Sequence, residues 1–332
     1  MKISVLMSVY NESNKELDEA ILSILRQSLQ DFELIIVNDD PVDVQHQQAL
    51  QEWAKRDKRI ILVQNDKNIG LAASMNKALR LAHGEYIARM DADDISLPTR
   101  FQVEMEVLDK EDCDVVFSDY IRIDSDGRLL ENGKLACSVD PCTDLAEQIV
   151  FNGIVHHPTV MMKREALKQV DGYRLFPCSQ DQDLWIRMLE NGAKFKFVNE
   201  ALLYYRVREN SISQKKGYQQ YLTIQYILCL LRERSLYAGH DSFSVEEYEN
   251  YISERMKNIK ETDRYSLAVQ YLQEAKIKLE QGNKKACFAM RCSAFFLSSA
   301  LRKGFLFKLQ NRNKILKYLK DFAVSPKHFD SI

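Results

Sequence analysis

No stretch of this chain reaches eighteen uninterrupted apolar residues, so no segment is predicted to span a membrane. The nearest approach, ACFAMRCSAFFLSSAL, is broken by Arg291. A cysteine framework is missing too. The seven cysteines are an odd number with no CxxC pair, and Cys137/Cys142 and Cys287/Cys292 lack zinc-site partners at the usual spacing. They read as reduced thiols of a cytoplasmic protein, several of them core residues. The N-terminus, MKISVLMSVYNE, has one lysine and a brief apolar run that turns polar at Asn11, too short for a secretory leader. The net charge of −2 exerts no bulk pull on nucleic acid, so no nucleic-acid partner is expected. Glycine is absent from VYNESNKE, where a nucleotidyltransferase would want a glycine-rich phosphate loop.

What remains is a chain of 332 residues with 45% hydrophobic content, enough for one large or two ordinary domains with real cores. ISVLMSVY (3–10) is a continuous apolar run without a period of two, which suits a strand buried on both faces of a parallel sheet. Residues 16–29 carry Leu17, Ala20, Ile21, Ile24 and Leu25 at helical spacing. FELIIVND, RIILVQN and EYIARMD then alternate with two further helical segments, the second closing near Gly84, a plausible C-cap. This βαβαβαβ order predicts an α/β, doubly wound, mostly parallel sheet. Ligands bind such sheets outside the carboxyl ends of the strands. The polar residues there are Asn11 with Glu12, Asp39 with Asp40, Asn65 with Asn68, and a cluster of Asp91, Asp93 and Asp94.

That last cluster ends a buried strand with three carboxylates in four positions, and like charges this close repel one another. A solvated turn is one explanation. A bound cation is the other, and hard oxygen ligands suit Mg²⁺ or Mn²⁺. Further on, DVVFSDYIRID reads as a strand and DSDG as a hairpin turn; a calcium loop would need a closing Glu that is missing.

Five segments in order, SVLMSVYNE, FELIIVNDD, NIGLAASMNKAL, GEYIARMDADD and SQDQDLWIRML, together resemble a family-two inverting nucleotide-sugar glycosyltransferase with the GT-A fold. HHPTVMMKREAL resembles a segment common in bacterial polysaccharide and O-antigen members. The resemblance covers roughly residues 1 to 215. It implies sugar transfer from a nucleotide-sugar donor, a UDP-sugar in the family's usual manner, to a saccharide or lipid-linked saccharide acceptor at the cytoplasmic membrane face. A diphosphate leaving group must be neutralised as the glycosidic bond breaks, which a divalent cation does as a Lewis acid. Asp93 is then the metal ligand, and Asp91 holds the ribose or the metal's water shell. Asp39 matches the position that hydrogen-bonds the base, although the usual DDGS is here Asn38-Asp39-Asp40-Pro41. Tyr10 can stack on the base, Glu12 lies beside it at the strand end, and Asn68 with Gly70 matches a loop that passes the nucleotide. Asp181, in Gln180-Asp181-Gln182-Asp183-Leu184-Trp185, matches the base of the family's EDxDLW motif, with its Glu replaced by Gln180. Asp183 reads as an N-terminal helix cap. His157 is expected near the donor as a phosphate or metal partner, and His156 in a structural role. Arg206, Arg208 and Ser211 fall in a segment similar to YRxHxxSxS, which folds over the diphosphate; Arg208 stands where the histidine is usual. The substitutions at Asn38 and Gln180 keep open a non-catalytic nucleotide-binding or scaffold protein on the same fold.

From about residue 218 the sequence becomes wholly helical, with no proline until Pro326. The predicted domains are therefore 1–217, catalytic, and 218–332, helical. In the tail Lys and Arg are interspersed with Phe and Leu. That composition suits a face resting on anionic lipid, a self-packed bundle, or a homodimer.

Overall fold

The structure, a computed structural model, describes residues 1–137, 139–208 and 217–324. One compact unit ends near residue 209 and a second runs from there to residue 320.

The first unit is built on an eight-stranded mixed sheet. Its strands are β1 (Ile3–Val9), β2 (Phe32–Asn38), β3 (Ile60–Gln64), β4 (Tyr86–Asp91), β5 (Ile95–Ser96), β6 (Val115–Ile123), β7 (Val160–Lys163) and β8 (Phe195–Arg206), in the order β3-β2-β1-β4-β7-β6-β8-β5. The first four strands are parallel, as the apolar runs predict. β7 is antiparallel to both β4 and β6, so the sheet changes direction there. In β1, six of seven residues are buried, because helices cover both faces. Those helices are α1 (Asn14–Leu25), α2 (Val44–Arg56), α3 (Leu71–Leu81), α4 (Arg100–Lys110), α5 (Leu145–Asn152), α6 (Arg164–Lys168) and α7 (Gln180–Glu190). They divide the core in two. Leu17, Ile21 and Phe101 pack on one face of the sheet; Met75, Leu184 and Trp185 pack on the other.

The register brings the functional strand ends level. Val9 pairs with Asn38, and Ser8 with Asp91. At the change of direction, the fully buried Arg100 donates to the carbonyls of Arg89 (2.9 Å) and Val160 (3.2 Å) and bonds Glu104 at 3.1 Å. It supplies donors where a purely parallel ladder would have continued.

One detail differs from the sequence-based expectation, and the predicted DSDG turn is present. Gly84 is not a left-handed cap, since α3 has already ended at Leu81. Its hydrogen faces β1, where a Cβ would lie 2.5 Å from the Ser4 nitrogen, so the position needs glycine for close approach. The DSDG turn is held by Asp124, whose Oδ1 accepts from the N–H groups of Asp126 and Arg128, both at 2.9 Å.

The second unit is helical: α8 (Gly217–Leu236), α9 (Val245–Met256), α10 (Ile259–Glu280), α11 (Lys284–Leu297) and α12 (Ser299–Val324). α10 and α11 pack side by side across a three-residue connection.

Candidate active site

The site lies at the carboxyl edge of the parallel strands. Following β2, Asp39 is buried and ties down the loop that leads into α3. Its Oδ1 accepts from Asn65 Nδ2 and the Ile69 N–H, both at 2.8 Å, and its Oδ2 from the Gly70 N–H at 2.9 Å. Asn68 Nδ2 donates to the Asp39 carbonyl at 3.3 Å. Residues 26 to 31 positions apart in sequence are thereby fixed in one rigid corner. Tyr10, just past β1, is half exposed, leaving its ring face open to a planar group. Its N–H donates to Glu12 Oε2 at 2.8 Å. Burial nevertheless pushes the Glu12 carboxyl up.

Asp91, Asp93 and Asp94 present oxygens that all lie within 4.8 Å of one another. Arginines hold this negative charge in place. The buried Arg89 pairs with Asp91 Oδ1. Asp94 is 1% exposed, and its Oδ1 accepts the Arg206 N–H at 2.8 Å. Its Oδ2 is buried without a hydrogen-bond partner among the described residues. Arg208 Nε lies 3.0 Å from Asp93 Oδ2, and Nη2 lies 3.0 Å from Glu16 Oε2. Neither nitrogen makes a directed hydrogen bond among the described residues, so the contact is one of charge. Burial and then the neighbouring Asp91 push the Asp93 carboxyl up to about 7. Asp94 is raised well above the carboxylate range by burial, then by Asp93 and Asp91. An orphaned buried oxygen beside two half-buried carboxylates is a donor set that a hard divalent cation fits.

Asp181 stands in the first turn of α7, which is entered through Ser179 in the left-handed region, at φ 55°. Burial raises its carboxyl to about 6. Asp91 pushes in the same direction and Arg89 against it, so Asp181 lies within the field of the acidic cluster.

Three expectations are corrected. Arg206 does not belong to a phosphate lid. It closes β8, its side chain is fully buried, and its donors are engaged: Nε on the Asp93 carbonyl (2.7 Å), Nη1 on the carbonyls of Asp124 and Ser125, Nη2 on Glu19 (2.6 Å). It is a staple beneath the cluster. His157 is not in the metal group. Its Nε2 meets the Tyr173 hydroxyl at 2.8 Å, its ring packs on Tyr173 and Trp185, and burial lowers its basicity well below the ordinary value. Asp183 is not the helix cap; fully buried, it pairs with Arg187 Nε at 2.7 Å. Ser211 lies outside the described residues.

His156 has the structural role expected of it: its Nε2 meets the Tyr120 hydroxyl at 2.9 Å and its ring packs on Tyr120 and Tyr205. Tyr205 is raised by burial and then by Asp94, Asp91 and Asp93, which places it beside the cluster. No local pattern distinguishes His156 from His157. The Asp183–Arg187 spacing of four on a helix, by contrast, was a readable signal.

Comparison with known proteins agrees with this geometry. The profile described as Glycosyl transferase family 2 matches residues 4–171. The chain is 37% identical over 222 residues to the uncharacterized glycosyltransferase MJ1057 of Methanocaldococcus jannaschii, covering 66% of this chain and 76% of that protein. It is 31% identical over 230 residues to the O-antigen biosynthesis glycosyltransferase WbnJ of Escherichia coli, covering 68% of this chain and 87% of that one. A crystal structure of S. aureus TarS 1-349 in complex with UDP-GlcNAc superposes with a TM-score of 0.56 at 19% identity, over 98% of this chain and 91% of that one. The chain belongs to glycosyl transferase family 2. It has the GT-A fold with a helical C-terminal region, and it is a glycosyltransferase, an enzyme of sugar transfer.

The two α7 carboxylates differ in what they do for stability. Asp183→Ala leaves Arg187 buried and unpaired and is expected to cost about 3–5 kcal/mol. Asp181→Asn is expected to stabilise at pH 8. The fold raises the Asp181 pKa from 3.8 to about 6, so ionised Asp181 costs stability above that value and costs nothing below the unfolded pKa. Urea denaturation of both variants at pH 8 and pH 4 checks this. Destabilisation of Asp181→Asn at pH 8 would contradict the assignment.

Proposed function

We propose that residues 1–217 form the catalytic domain of an inverting transferase. It moves a hexosyl or N-acetylhexosaminyl group from a UDP-sugar to a saccharide acceptor, lipid-linked at the cytoplasmic face of the membrane, in surface polysaccharide synthesis. Residues 218–332 are its helical domain. The observation that carries this reading is the pairing of an acidic cluster holding an orphaned buried oxygen with a nearby carboxyl, Asp181, poised to titrate near neutrality. The names of relatives support the pathway class: WbnJ in O-antigen biosynthesis and AmsE of Erwinia amylovora in amylovoran biosynthesis. The UDP and UDP-GlcNAc complexes of TarS support the donor class.

Each residue has a distinct task. Tyr10 covers the base, and Asp39 with Asn68 shapes the slot that receives it. Asp93, with Asp91 and the free oxygen of Asp94, would hold Mn²⁺ or Mg²⁺, which when bound would supply positive charge for the leaving diphosphate. Glu12 and Asp91 border the ribose. Arg208 exchanges Asp93 for a phosphate oxygen when the donor enters; its undirected contacts with Asp93 and Glu16 make that exchange cheap. Asp181 accepts the proton of the attacking acceptor hydroxyl on the face opposite the leaving group, and the anomeric carbon inverts. His157 acts from behind the site, orienting Tyr173 rather than a ligand.

Two tests follow from these roles. Asp181→Asn is expected to retain UDP binding while transfer falls by about 10²–10⁴. In the wild type, transfer should decline as pH falls through about 6, where Asp181 takes up its proton. A transfer-competent Asp181→Asn enzyme would remove the base from the mechanism. For Arg208→Ala, calorimetry is expected to show UDP binding weakened by about 1.5–3 kcal/mol, and Mn²⁺ alone bound more tightly than by wild type. Unchanged affinities for both would leave Arg208 a bystander.

A further inference from the structure

The second unit exposes a face that its own packing does not explain. Between Gln281 and Lys320 the sequence contains ten Lys and Arg residues and no Asp or Glu. On α11, Cys287 and Ala294 turn inward, while Phe288 (71% exposed) and Phe296 (73%) turn out, with Lys285 exposed on the same side. On α12, Asn311, Ile315 and Leu319 form the buried stripe at spacings of four. Leu306 and Leu309 are exposed on the other side, and Lys317 and Lys320 repeat their helical positions eleven residues on. The two helices meet in an aromatic corner. Phe295 packs edge-on to both Phe296 and Phe305, with ring centroids 5.6 and 5.5 Å apart. Arg302 closes the corner by donating to the Phe295 and Phe296 carbonyls at 3.2 and 2.6 Å.

We propose that this α11–α12 face is a peripheral docking surface for an anionic lipid bilayer. The phenylalanines and leucines enter the acyl boundary, and the lysines meet lipid phosphates. Exposed aromatic side chains on a globular surface mark an interaction site. Unbroken positive charge around them selects a partner that offers both an apolar layer and negative charge, as an anionic membrane interface does. A symmetric pairing of two copies through this face would set Lys285, Lys317 and Lys320 of one copy against the same lysines of the other, and repel. Docking is peripheral, because no helix among the described residues is long and apolar enough to cross a membrane. The inference does not depend on the donor, the metal or Asp181.

Full-length protein is sedimented with phosphatidylcholine vesicles, with or without phosphatidylglycerol, at low and at raised salt. Binding is expected only to the anionic vesicles, and to weaken with salt. The Lys303→Glu/Lys317→Glu variant alters exposed positions only and is expected to bind about tenfold less or weaker still. Phe288→Ser/Phe296→Ser should also lose binding while keeping its thermal midpoint. Equal binding to neutral vesicles, or undiminished binding by the lysine variant, overturns the proposal. So does loss of self-association in place of lipid binding, which would assign the face to a second copy. Binding of single-stranded DNA that anionic vesicles fail to displace would assign it to nucleic acid and overturn it equally. Donor hydrolysis in the same variants stays at the wild-type level, so failure here is separable from failure of the sugar-transfer reading.

Discussion

Negative charge gathered at one edge of the sheet is the constraint on which the rest of this site depends. Asp91, Asp93 and Asp94 sit within a few ångströms of one another, with Glu12, Glu16 and Glu19 nearby, in surroundings dry enough to raise several of them. Such a cluster repels itself unless positive charge is supplied. The fold supplies part of it through Arg89 below, Arg206 behind and Arg208 in front. The compensation is incomplete: one oxygen of Asp94 stays buried without a hydrogen-bond partner among the described residues, and burial with Asp91 beside it pushes the Asp93 carboxyl up. On the function proposed above that residual frustration has a use, since a divalent cation bound there would relieve it.

The two halves of the site are built differently. One half hangs on Asp39, whose carboxylate organises the loop into α3. The other half hangs on α7. There the Asp183–Arg187 pair, with Arg187 also bonded to the Val170 and Gly172 carbonyls, fixes the helix, while burial pushes the carboxyl of Asp181, two residues before Asp183, up to about 6.

Most of the sheet was legible because its strands are buried on both faces and so read as unbroken apolar runs; ISVLMSVY and FELIIVN are the clearest. The acidic cluster was legible because three carboxylates within four positions stand out at the end of a buried apolar run. Its compensation was not, since Arg206 reaches Asp93 and Asp94 across more than a hundred residues and nothing local to YYRVR says which arginine is buried. His156 and His157 differ only in which way the backbone turns them, toward Tyr120 or toward Tyr173, and that is a tertiary fact. Gly84 was misassigned because a close approach to β1 and a helix cap ask for the same residue.

The central claim is that the acidic cluster binds the donor through a divalent cation. It is tested most directly by titrating UDP into wild type and Asp93→Asn, with Mn²⁺ and with chelator, and measuring heat. The account predicts binding to wild type that requires Mn²⁺, and loss of that Mn²⁺-dependent binding in a variant whose thermal midpoint is retained. Equal UDP affinity in chelator, or an Asp93→Asn protein that binds UDP with Mn²⁺ as tightly as wild type, would contradict it.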